Sequence, residues 1–151
     1  MSSKTNSHVI SVLNNLIETC KDGQEGFQAA AEGVKNSSLK SLFAEYGLQR
    51  AQFGGILQEA VNRLGGNPEK GGSVSASLHR GWMNIKAAVT GNDESAIIAE
   101  CERSEDVARD AYQKALKEKL PADIRAIVDG QFKEVQHSHD RIRSLEVKTG
   151  H

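Results

Sequence analysis

Proline occurs only twice in 151 residues, and aromatic side chains make up 5% of the chain. Beside many Ala, Glu, Lys, Gln and Leu, that scarcity favours helix. Cysteine is nearly absent as well. Cys20 and Cys101 stand far apart, whereas a small secreted domain stapled by disulfides needs more of them at closer spacing. There is no excess of either charge: the net value is −1, which gives no electrostatic footprint for nucleic acid or for an anionic membrane. No run approaches the ~18 apolar residues of a membrane span. The polar start "MSSKTNSHVISVLNNL" has no basic segment followed by an apolar stretch, so no secretory signal is expected. A reducing cytoplasm is the expected compartment. No Ser-His-Asp order and no Cys-x-x-Cys is present. "LGGNPEKGGS" lacks the preceding strand and the Lys-Ser/Thr of a phosphate-cradling loop.

What is present is periodicity. Val9, Leu13, Leu16, Cys20, Gly23, Phe27, Ala30 and Val34 recur at steps of three and four, which is one helical stripe. "NSS" at 36–38 breaks it, with Ser37 as candidate cap. A second stripe runs Leu39, Leu42, Tyr46, Phe53, Ile56, Leu57, Ala60 and Leu64. "GGNPEKGGS" then stops the chain, with Gly65 or Gly66 as the helix C-terminal residue. A shorter segment has one apolar edge, Val74, Leu78, Trp82, Ile85 and Val89. Asn92 is the expected cap of the next helix, whose stripe is Ile98, Cys101, Glu105, Ala108, Tyr112 and Ala115. Pro121 opens the last one, whose stripe is Ile124, Ile127, Val128, Gln131, Val135, Ser138, Ile142 and Leu145.

The expectation is a single all-α domain over 1–151, with long helices at about 6–35, 38–65, 93–119 and 121–147 and a short helix at about 74–90. Four helices of roughly 27–30 residues, about 40–45 Å each, form two tight antiparallel hairpins joined by a long crossover that carries the short helix. That is the ferritin-like four-helix-bundle arrangement rather than an up-down bundle.

The end of the second helix, "ILQEAVNRLGGNP", is similar to its counterpart in bacterioferritins and rubrerythrins, where a ligand-bearing Glu-x-x-His precedes a leucine-rich turn and a Gly-Pro stop. Together with "LIETCKDGQEGF", "QRAQFGG", "LHRGW", "AECERSEDVARDAYQKAL" and "HDRIRSL", it resembles an uncharacterised bacterial family of the ferritin-like superfamily, the domain of unknown function 2383 type. The resemblance spans nearly the whole chain. It implies a fold and brings no established activity.

A di-iron bundle needs carboxylates and imidazoles converging from its helices, so helical phase is the test. Glu134-Val135-Gln136-His137 is a literal Glu-x-x-His. At about 100° per residue, Glu134 lies roughly 80–90° and His137 about 140° from the apolar stripe, and His137 faces out. On the first helix Glu18, Asp22 and Glu25 fall opposite the stripe. Counting back from Pro68 by the spacing of the similar families puts Arg50 and Phe53 where Glu and His would ligate. A guanidinium repels a metal cation and a phenyl ring cannot ligate one. Glu105 is the carboxylate expected to point inward. The expected core polar group is therefore Arg50 paired with Glu105, joined by His139 and standing in place of a metal.

The competing reading uses Glu25, Glu105, Glu134 and His137 to hold iron or another divalent metal. His79 and Trp82 mark a weaker pocket under the crossover helix, where Trp82 more simply anchors that helix. Cys20 and Cys101 read as small buried apolar groups. The expected function is a non-enzymatic binding or structural protein with no cofactor, as a homo-dimer, with a ferritin-like iron oxidase as the alternative; any small-molecule ligand is left open.

Overall fold

The structure is a computed structural model. It describes residues 3–68 and 75–148, with side chains described over 6–68 and 83–145. Five helices follow one another: α1 (Ser3–Gly33), α2 (Ser37–Arg63), α3 (Ser75–Thr90), α4 (Glu94–Leu116) and α5 (Ala122–Lys148). The described residues contain no strand, and the protein is an all-helical bundle.

The helix ends have identifiable causes. Asn36, not Ser37, caps α2: its Oδ1 accepts from the Leu39 N–H at 3.1 Å. Gly65 ends α2 in the left-handed region at φ +82°, and the Gly66 N–H reaches back to the Val61 carbonyl at 3.0 Å. A glycine suits that position because a Cβ would strain it. Asn92 also takes a positive φ, 57°, and turns the chain rather than capping it. The cap of α4 is Asp93, which accepts from the Ala96 N–H at 3.3 Å. α4 stops at Leu116 rather than continuing to 119. Arg125 of α5 covers the loose carbonyls there, donating to the oxygens of Leu116 and Glu118 at 2.8 and 2.6 Å.

Pairwise contacts set the topology. α1 and α2 are antiparallel, since Gly23 lies against Arg50, Gly54 against Cys20 and Gly66 against Ile10. α1 and α4 are antiparallel too: His8 meets Glu118, Cys20 meets Tyr112, and the Lys35 N–H meets Glu94. α2 and α4 therefore run parallel. Their connection must return along the length of the bundle, and it carries α3.

α3 is a packed wall rather than a loose crossover. It lies against both α1 and α4, and its Ile85 is buried. At Gly33 it comes so close that a Cβ would sit 2.5 Å from Val89 Cγ2. This packing corrects one expectation. Asp22 is buried, not solvent-facing. It lies about 20° in helical phase from Gly33, on the side of α1 that α3 covers.

The core divides into two apolar halves. One contains Leu13, Leu16, Leu57, Val61, Tyr112 and Val128. The other contains Phe27, Phe43, Tyr46, Ile85, Ile98 and Ile142. The boundary falls at one level on every long helix of the bundle: at Gly23 on α1, Arg50 on α2, Glu105 on α4 and Ser138 on α5.

Candidate functional site

That boundary is a layer of charge. The Arg50 guanidinium meets the Glu105 carboxylate end-on, Nη1 to Oε1 at 2.5 Å and Nη2 to Oε2 at 2.9 Å. The two side chains are 2% and 1% exposed. Ser138 closes the layer from α5. Its hydroxyl accepts from Arg50 Nη2 at 2.7 Å and donates to Glu105 Oε2. Gly23 makes the room: a Cβ there would lie 3.3 Å from Arg50 Cγ and 3.7 Å from Cδ, so the arginine stem occupies the space a side chain would fill. The guanidinium carbon also sits 5.5 Å from the centre of the Phe27 ring, within reach of a cation–π attraction.

Burial works against a charged guanidinium, but the charge of Glu105 and its hydrogen bonds outweigh it and hold Arg50 protonated well above its ordinary value. The match is incomplete in one respect. Arg50 Nε is buried with no hydrogen-bond partner among the described residues.

About one turn from the ion pair on α1 and α2, and two turns from it on α4 and α5, a second polar chain crosses the bundle. The Tyr112 hydroxyl donates to Gln131 Oε1 at 2.7 Å, and its oxygen lies 3.2 Å from Cys20 Sγ. Gln131 Nε2 in turn donates to the Phe53 carbonyl at 3.3 Å. Phe53 thus touches the chain through its backbone, with its ring half-buried against the apolar core.

Burial pushes the Cys20 thiol up to about 11, although the Tyr112 hydrogen bond partly offsets this. Burial, and then the charge of Glu105, raise Cys101 further. Burial likewise raises Tyr112. These are thiols held as neutral apolar groups, not nucleophiles. The folded chain holds each thiol proton more tightly than the unfolded chain does. The resulting stability is complete below the unfolded thiol value of about 8.5 and is lost as the pH climbs toward about 11 for Cys20. Two outcomes follow. A small thiol reagent should leave the native protein unlabelled near neutral pH and label both cysteines in guanidinium. The denaturation midpoint should fall across that alkaline window, less steeply in Cys20→Ala. Rapid labelling of the native chain would contradict the burial.

His139 does not join Arg50 and Glu105. It is buried, with 2% of its side chain exposed, but it makes a separate clasp: Nε2 lies 2.5 Å from Asp106 Oδ1 and Nδ1 lies 3.3 Å from Asp140 Oδ1. The cause is helical phase. Glu105 meets Ser138, and one residue further along both helices Asp106 meets His139, about 100° round each axis. The contact with His139, before any effect of burial, holds the Asp140 carboxyl below its usual range.

The other candidate ligands do not converge. Glu134 and His137 are exposed, and Glu25 is half-exposed. Of that set, Glu105 alone is buried, and Arg50 occupies it. Among the described residues no group of three or more His, Cys, Asp and Glu side chains is placed to hold a metal ion. The side chains of His79 and Trp82 lie outside the described residues.

Helical phase alone does not reveal the parts played by Gly23, Tyr112 and Gln131. Gly23 falls in the inward stripe of the first helix, but the stripe does not say what fills the space beside it.

An all-helical bundle closed around a buried ion pair is thus the class of protein that the fold and this layer define. Residues 8–118 match the family model for a domain of unknown function, DUF2383, and the chain belongs to that family. The match ends just past α4, so α5, which supplies Gln131, Ser138 and His139, lies beyond it. No curated protein is similar enough to this chain to count as a relative.

Proposed function

We propose that this protein is a ferritin-like four-helix bundle whose di-iron position is taken by a protein ion pair, and that it acts as a non-enzymatic binding or structural protein, assembled as a homo-dimer in the cytoplasm. The observation that carries this reading is the Arg50–Glu105–Ser138 layer in mid-core. Support for the ferritin-like arrangement comes from the parallel run of α2 and α4, bridged by a connection that carries α3.

The residues present do not fit a di-iron centre. Such a site is built from Glu and Glu-x-x-His side chains projecting inward. Here a guanidinium holds the inward carboxylate, and the literal Glu-x-x-His faces solvent. A cation entering at Glu105 would have to displace Arg50 and leave a positive charge buried without a partner, which is costly.

The test is metal analysis of protein purified without chelator, followed by anaerobic Fe(II) addition and exposure to air. The expected result is no bound metal and no oxidation faster than in buffer. About two irons per chain with oxo-bridge absorbance would establish the iron-oxidase alternative instead.

A further inference from the structure

α2 and α5 approach each other far less closely than the other neighbouring pairs. Near the start of α2 the seam opens into a hollow of about 460 Å³, within the range of small-molecule sites. Its walls include Leu39, Leu42 and Leu145, with Ser41 beside them. It also holds two opposite charges, Glu45 on α2 and Arg141 on α5. Both are exposed, and among the described residues neither belongs to an ion pair.

Tyr46, next to Glu45 in sequence, packs inward against α1 and does not line the hollow. It is only 8% exposed, and its ring is fixed 5.4 Å from Phe27. Burial holds its hydroxyl above the usual phenol range, with the charge of Arg141 opposing the shift.

A simple anion meets Glu45 here, and a simple cation meets Arg141. Each is opposed by one wall. A molecule that carries both charges is opposed by neither, and the leucines add a place for an apolar body. We propose that this hollow binds a zwitterion with an apolar side chain, a leucine-like α-amino acid or a short apolar peptide. Its carboxylate lies on Arg141, its ammonium on Glu45 and its side chain against Leu39, Leu42 and Leu145. The inference is independent of the Arg50–Glu105 layer, so either can fail without the other.

The test is a titration of the isotopically labelled full chain, followed by amide NMR, with leucine, dileucine, N-acetyl-leucine, leucinamide and inorganic phosphate. Saturable shifts are expected around Leu39–Glu45 and Arg141. N-acetyl-leucine and leucinamide, each lacking one charge, should bind about tenfold more weakly. Glu45→Gln and Arg141→Gln should each cause a similar loss without lowering the melting temperature, because both side chains are exposed. Tighter binding of leucine identifies a free amino acid as the ligand, and tighter binding of dileucine a peptide. Absence of saturable shifts, or N-acetyl-leucine or inorganic phosphate binding as well as leucine, would overturn the proposal.

Discussion

Glu105→Leu alone is expected to lower the unfolding free energy by about 3–5 kcal/mol, and Arg50→Met alone by a similar amount. The reason lies in the surroundings of the pair. Both side chains are almost wholly buried, with an apolar half-core on either side. Removing one partner leaves the other charge in a dry interior, with Ser138 as its main remaining contact. The double variant should recover most of the loss, because two apolar side chains of similar volume remove both desolvation costs together. Chemical denaturation across the two single variants and the double variant measures this directly. Additive losses would mean that the two side chains do not depend on each other.

Gly33→Ala is the second large effect, at about 1–3 kcal/mol. The added Cβ would lie 2.5, 2.8 and 3.0 Å from Val89 Cγ2, Cγ1 and Cβ. A valine cannot swing out of the way, since its χ1 in a helix has one strongly favoured setting. The end of α3 must therefore lift from α1. The helical gain of Ala over Gly, about 0.5–1 kcal/mol, offsets only part of this. Two controls isolate the cause. Val89→Ala in the same chain should recover most but not all of the loss, because it removes the contacts at 2.5 and 2.8 Å and leaves the Cβ contact at 3.0 Å. Gly55→Ala, where a Cβ meets nothing within 4 Å, should be neutral or mildly stabilising. If Gly33→Ala melts no lower than the parent, α3 is not seated as described.

These effects show how far helical phase carries. A stripe reports which residues face the nearest neighbours, and it points Arg50 and Glu105 inward without knowledge of what they touch. It fails where a helix is covered on more than one side. α1 is packed by α2, α3 and α4, so Asp22 lies opposite the stripe and is still buried. It also fails for partners one position apart. His139 and Ser138 are both buried, but only the register between α4 and α5 decides that Ser138 meets Glu105 while His139 meets Asp106. Caps were legible as polar clusters and not as residues: Asn36 and Ser37, or Asn92 and Asp93, carry similar side chains, and the backbone angles choose between them. Gly23 shows the limit from the other side. A missing side chain leaves no mark of its own in a periodicity count, but it provides the space in which the arginine lies.

Crystals grown with ferrous iron and measured at the iron absorption edge put the middle of the bundle to the most direct test. The account predicts no anomalous peak between the helices and continuous guanidinium–carboxylate density from Arg50 to Glu105. An anomalous peak within bonding distance of Glu105, with Arg50 turned away from it, would contradict it.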